Sequence, residues 1–145
     1  MLRLSKKSEY GIIALKHMLN QPEGAIIRAK DVASLYNIPL EAMAKTLQTL
    51  ARSGIVKSCQ GAKGGYVLGR AGDQISLSEI IESIEGPLGI VDCVVGASEC
   101  DCVQLENCNI SDSFQVIQKQ FKLFLAGISL ADINNEMEMQ HVVWH

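Results

Sequence analysis

The sequence has no apolar stretch long enough to cross a bilayer, so no membrane span is expected. Its first residues, Met1 to Glu9, carry charge but no apolar run followed by a small-residue cleavage site. They do not read as a secretory signal, and a cytoplasmic location is expected. Basic residues are scarce in one half. Residues 71–145 hold two Lys/Arg against twelve Asp/Glu, a net of −10. Residues 1–70 hold eleven against four, a net of +7, so the formal charge of −3 conceals two opposed halves. That asymmetry points to a polyanion-binding region joined to an acidic one. No nucleophile, base and acid are brought into a recognisable pattern. His17 falls at helical spacing with apolar residues, and His141 and His145 stand in the tail without an evident partner. An enzyme is not expected.

What is present supports a folded chain. Of 145 residues, 48% are apolar, enough for a core and too many for general disorder. Tyr10, Ile13, Ala14, His17 and Met18 recur at helical spacing after the candidate cap Ser5, and Gln21-Pro22-Glu23-Gly24 interrupts them. A short helix over Lys30–Tyr36 is expected, stopped by Asn37. Pro39 opens a third, amphipathic helix with Leu40, Met43, Leu47, Leu50 and Ala51 on its apolar stripe, ended by Gly54. Two short helices with a tight turn and a polar outer face read as helix-turn-helix. Residues 55–60 and 66–70 flank Gly61-Ala62-Lys63-Gly64-Gly65, which reads as a β-hairpin wing. No Lys-Ser/Thr pair follows those glycines and they feed a strand, which argues against a phosphate loop.

Ser76-Leu77-Ser78-Glu79 carries a capping-box signature, and Leu77, Ile80, Ile81 and Ile84 give the following helix one apolar face. Gly86-Pro87 stops it. Farther on, Ile110, Phe114, Ile117, Phe121, Phe124 and Ile128 alternate steps of four and three. This heptad seam favours a dimerisation helix over one packed within a single subunit. The tail from Ser129 is expected to add a short helix. The fold class is therefore mainly α with a small β-hairpin wing. It divides into a winged helix-turn-helix over 1–70, a connecting helix and cysteine loop over 71–109, and a dimerisation helix with tail over 110–145.

Four of the five cysteines, Cys93, Cys100, Cys102 and Cys108, fall in the irregular stretch between two helices. Reduced thiols are expected in the cytoplasm, so ligands, sensors or core thiols are better readings than disulfides. Zinc sites favour paired knuckles, and this stretch has neither such a pair nor a histidine. Iron–sulfur clusters constrain thiolate spacing less, which ranks them first, ahead of zinc and of unrelated thiols. Cys59, in a wing strand, reads as a packed thiol.

Taken in order, several segments resemble the IscR/NsrR-type (Rrf-type) winged-helix transcriptional regulators. They are Met1-Leu2-Arg3-Leu4-Ser5-Lys6, the wing Gly61-Ala62-Lys63-Gly64-Gly65-Tyr66, the run Ile80 to Pro87, the cysteine loop, and Ser129-Leu130-Ala131-Asp132. Within that family the chain is most similar to regulators of the SUF iron–sulfur assembly system. The resemblance implies a homodimer on a palindromic double-stranded DNA operator, holding a 2Fe–2S or 4Fe–4S cluster whose status controls affinity. It implies Cys93, Cys102 and Cys108 as ligands, with Cys100 an additional thiol that could replace Cys102. Some members use a histidine three residues after the last cysteine, where this chain has Ser111. Others use an acidic residue near the N-terminus of the partner subunit, where this chain has Glu9. Glu9 equally reads as an acid favoured by a helix N-terminus.

On this reading the third helix enters the major groove with Glu41, Ala42, Lys45 and Gln48 near base edges. Gln60 and Lys63 of the wing approach the minor groove or backbone. Arg3, Lys6, Lys7, Arg28, Lys30, Arg52 and Lys57 are phosphate candidates by charge. The expected function is a cluster-dependent regulator, a repressor of SUF genes. The alternatives are a nitric-oxide or redox sensor of the same fold, and a zinc- or cluster-bearing interaction protein that does not bind DNA.

Overall fold

The computed structural model describes residues 2–62, 64–91, 93 and 102–135. Lys63, Cys100 and the tail histidines lie outside the described residues. In chain order the elements are α1 (Lys6–Leu19), α2 (Ala29–Leu35), α3 (Leu40–Arg52), β1 (Val56–Cys59), β2 (Gly65–Leu68), α4 (Leu77–Glu85), α5 (Ser111–Ala126) and α6 (Leu130–Asn134). Two 3-10 turns, Gly72–Gln74 and Leu105–Asn107, lie between them. Among the described residues no helix is long and apolar enough to cross a membrane.

Local chemistry explains most boundaries. Ser5 caps α1, its hydroxyl accepting from the Ser8 amide at 3.2 Å. Asn37 adopts a left-handed conformation (φ 54°), turning the chain sharply between α2 and α3. Ser76 and Glu79 form a reciprocal capping box at α4, and Ser129 and Asp132 form another at α6. Gly86 ends α4 at φ 86°, where a side chain would be strained, and Pro87 prevents resumption.

The core gathers Leu15 of α1, Val32 of α2, Met43, Leu47 and Leu50 of α3, Ile55 and Val56 beside the wing, and Ile75, Ile80 and Leu130. Each large aliphatic among these contributes roughly 1.5–3 kcal/mol by leaving water. The core therefore spans the basic and acidic halves. The chain end closes onto it: Leu77 donates to the Ile128 carbonyl and Leu130 to the Ile75 carbonyl, both at 2.8 Å. Asn20 also bridges from the end of α1 to Asn134 at 2.7 Å.

β1 and β2 pair antiparallel, Val56 opposite Leu68 and Cys59 opposite Gly65. Ile27 extends the hairpin, exchanging two 2.8 Å backbone hydrogen bonds with Tyr66. Gly65 is required there, because a Cβ would lie 2.6 Å from the Ile27 carbonyl oxygen. Arg70 leaves the wing and donates to Glu79 at 2.7 Å, joining the hairpin to the start of α4. That hydrogen bond holds the Glu79 carboxyl below its ordinary range against opposing desolvation.

Two sequence expectations change. Leu40, placed on the buried stripe of α3, is 51% exposed. Ile38 from the turn is buried in the core instead, so the tip of α3 stands clear of it. The heptad seam is divided as well. Phe114 and Phe124 are half-buried and Ile128 is buried, while Ile110, the N-cap of α5, Ile117 and Phe121 are exposed.

Candidate nucleic-acid interface and thiol pocket

α3 offers one face to the core and one to solvent. Met43, Thr46, Leu47 and Leu50 are buried, while Glu41, Lys45, Gln48 and Arg52 are exposed and recur at helical spacing. Ala42 is half-buried. Thr46 satisfies its buried hydroxyl on the Ala42 carbonyl at 2.8 Å. Lys45 Nζ lies 3.2 Å from Glu41 Oε1, so cation and acid share the outer face as an exposed ion pair. α2 packs against α3, and α3 against α1. His17 of α1, half-buried, places Nδ1 2.9 Å from the Tyr36 hydroxyl at the end of α2, ring edge to ring face. The helix pair is thus anchored behind a free outer helix face.

Beside it, Lys57 and Gln60 of the wing are exposed, and Cys59 is half-buried. Arg3, Lys6, Lys7, Arg28 and Lys30 are exposed as well. Lys6 is engaged by Glu9 at 2.7 Å, a hydrogen bond that raises its pKa. Arg3, Lys7, Arg28, Lys30, Arg52 and Lys57 make no ion pair among the described residues. Leu40, beside Glu41 at the tip of α3, adds an apolar group that the sequence pattern had assigned to the core.

The start of α5 borders an open pocket of about 750 Å³. Its wall includes Cys93, Cys102 and Cys108, with Ile110, Ser111 and Phe114 from the start of α5. All three cysteines are half-buried. The 3-10 turn Leu105–Asn107 lies between Cys102 and Cys108, returning the chain to the same pocket. Cys102 Sγ donates to Gln104 Oε1 at 3.4 Å. No side chain caps the N-terminus of α5, so the end of the helix whose field favours anions carries two pocket-wall residues, Ile110 and Ser111.

The donor chemistry suits a soft metal centre. Among the described residues no three His, Cys, Asp or Glu side chains are gathered closely enough to hold a single metal ion. Three thiols spread around a roomy pocket fit a polynuclear iron–sulfur group better than one tetrahedral zinc. Glu9 sits on α1 with Lys6 and is not part of this wall. Gln118, which the seam pattern passed over, is buried beneath the loop that enters the pocket.

A family model described as iron-dependent transcriptional regulators, Rrf2, matches residues 4–136. The chain belongs to the Rrf2 family. Rrf2 relatives include a Mycobacterium tuberculosis protein named as an HTH-type transcriptional regulator, 26% identical over 97% of this chain and 86% of its own length. Another, from Synechocystis, is 40% identical over 60% of this chain and 59% of its own. Among solved structures, CymR, the global cysteine regulator of B. subtilis, superposes with a TM-score of 0.70 at 25% identity, covering 94% of this chain and 98% of its own. IscR of T. potens shares the fold with a TM-score of 0.68 at 23% identity, covering 99% and 94%. As an Rrf2 protein the chain is a winged-helix, DNA-binding transcriptional regulator, not an enzyme.

Proposed function

We propose that this Rrf2 regulator is a cytoplasmic homodimer that reads a palindromic operator and represses SUF-type assembly genes according to the state of an iron–sulfur cluster. The observation that carries this reading is the meeting of Cys93, Cys102 and Cys108 on one pocket wall, at the head of the helix whose apolar face is exposed. Those three thiols would hold the cluster. Glu9 of a second copy would supply the fourth ligand, and Cys100 stands as the additional thiol. When bound, the cluster supplies an assembly sensitive to iron and oxidants, and so a chemical input to a DNA-binding fold.

Val116, Ile117, Phe121 and Leu123 leave an apolar strip on α5 facing water, which a second copy would cover. Glu41, Ala42, Lys45 and Gln48 would face base edges, Gln60 and Lys63 the wing contacts, and the unpaired cations the phosphates.

Anaerobic purification followed by visible absorption and iron and sulfide analysis tests the cluster. Wild type and Cys59→Ser should carry iron and sulfide, and Cys108→Ser should lose them. A colourless wild type without iron or sulfide, even after reconstitution, would refute the cluster. DNA binding that then responded to thiol oxidation would favour the redox-sensor alternative, which the same pocket thiols support.

A further inference from the structure

We infer that Gln118 is a positioning residue, a two-point latch that fixes the Cys93 side of the thiol pocket against α5. Gln118 is 8% exposed in the middle of α5, where the helical pattern calls for an apolar side chain. A buried amide must find both a donor and an acceptor. It finds them on one short stretch of backbone: Oε1 accepts from the Ile90 amide at 3.0 Å, and Nε2 donates to the Leu88 carbonyl at 2.5 Å. The side chain thus takes the place of a neighbouring strand, gripping the chain on both sides of Gly89.

The position of that grip gives it a role. Ile90 and Val91 line the thiol pocket, and Cys93 follows two residues later. On the opposite side, Cys108 precedes α5 by three residues, and Phe114, one turn before Gln118, is also on the wall. α5 is therefore the common frame for both sides of the pocket, and Gln118 is a polar tie between that frame and the Cys93 arm. Only an amide of this length does both jobs. A carboxylate cannot donate to Leu88, leucine can do neither, and asparagine is one methylene short.

One turn on, Lys122 Nζ lies 3.1 Å from Glu82 Oε1 and ties α5 to α4 separately. Its approach lies outside hydrogen-bond geometry, leaving that oxygen with an ionic contact alone. Buried Leu125 adds an apolar contact farther along α5. The helix therefore keeps other anchors when Gln118 is changed, and loss of the latch is separable from loss of the fold.

The latch bears on cluster binding through the function proposed above, but it is a property of the cluster-free protein and is tested there. Apo wild type, Gln118→Glu and Gln118→Leu would be compared by amide hydrogen exchange and by site-resolved alkylation with iodoacetamide. Exchange at Ile90 and alkylation of Cys93 should rise about tenfold in Gln118→Leu, which loses both hydrogen bonds, whereas Gln118→Glu can still accept from Ile90 and should raise alkylation of Cys93 by a smaller factor. Exchange in α1–α3 and alkylation of Cys59 should stay at wild-type rates. Wild-type rates at Ile90 or Cys93 in Gln118→Leu would overturn the latch. So would equal acceleration throughout α1–α3, because Gln118 would then be an ordinary core residue. In reconstituted samples, iron loss to a chelator should also quicken in both variants, and unchanged retention would overturn the positioning role. A wild type that binds no iron refutes the proposed function, while the exchange and alkylation results still decide the latch.

Discussion

Replacing Glu85 with glutamine should weaken the joint between α4 and α1 in a way that pH can reveal. Glu85 Oε1 accepts from the Ser5 amide at 2.9 Å and from the Ser8 hydroxyl at 2.5 Å, across about eighty residues of sequence. Ser8 is fully buried. Burial pushes the Glu85 carboxyl upward, but hydrogen bonds from Ser5 and Ser8 outweigh it and hold the pKa below the usual carboxylate value. The ionised form is therefore favoured by folding. Its stabilisation is fully present above the unfolded-state pKa and is lost as pH falls through the lower folded-state value. Hydrogen bonds to a charge contribute about 1.5–3 kcal/mol when shielded. Because Glu85 is exposed to solvent, about 1 kcal/mol is the expected loss for Glu85→Gln and about 2 kcal/mol for Glu85→Ala. In a chain of this length each kcal/mol moves the melting temperature by roughly 2–4 °C. Thermal unfolding by circular dichroism should show Glu85→Gln melting about 3 °C below wild type at pH 7. The gap should begin to close as pH falls below the ordinary carboxylate range and vanish once pH passes the lower folded-state value, where the wild-type carboxyl is also neutralised. Equal melting temperatures at pH 7, or a gap that persists unchanged into acid, would refute the clamp.

Three further outcomes follow from the geometry. In operator titrations, Lys57→Ala should reduce the magnitude of the salt slope by about one per reader head, whereas Lys6→Ala, already paired with Glu9, should change it less. Gly65→Ala should lower stability to urea by about 1–3 kcal/mol, since its Cβ would lie 2.6 Å from the Ile27 carbonyl and must push the wing off that segment. Phe121→Glu, on the exposed face of α5, should convert a dimer to monomer in light scattering while leaving helix content unchanged.

The winged-helix frame was legible because its signals are local. Ser5, Asn37, Gly54, the Ser76–Glu79 box and the hairpin glycines each act within a few residues. The convergence of Cys93, Cys102 and Cys108 was legible only as clustering in sequence, which their common pocket wall gives spatial meaning. Leu40 was misplaced because periodicity says which residues share a face but not where the core ends. The turn residue Ile38 is buried beside that end. The α5 seam was over-read for the same reason. Phe114 turns to the pocket and Ile128 to the core, while Val116 and Leu123, off the heptad, are exposed. Gln118 and Glu85 were invisible because their partners are backbone atoms and serines far away in sequence, and no pattern of residue types marks them.

The opposed charges of the two halves also acquire a different meaning. Four of the twelve acids in residues 71–145 serve as ties among the described residues. Glu79 holds Arg70, Glu82 faces Lys122, Glu85 holds Ser5 and Ser8, and Asp132 caps α6. These groups connect the wing exit, α4, α5 and α1 as structural ties. On the basic side, Lys45 and Lys6 are likewise balanced by Glu41 and Glu9. Among the described residues of that side, the cations without an ion pair are Arg3, Lys7, Arg28, Lys30, Arg52 and Lys57. Affinity for a polyanion is thus set less by the difference between the halves than by which cations remain unpaired, and the described ones lie on the N-terminal segment, α1, the start of α2, the end of α3 and the wing. α5 carries Lys119 and Lys122, one of them engaged, beside an exposed apolar strip. Both halves expose apolar side chains, so the described surfaces differ instead in unpaired positive charge on one and the three pocket thiols on the other.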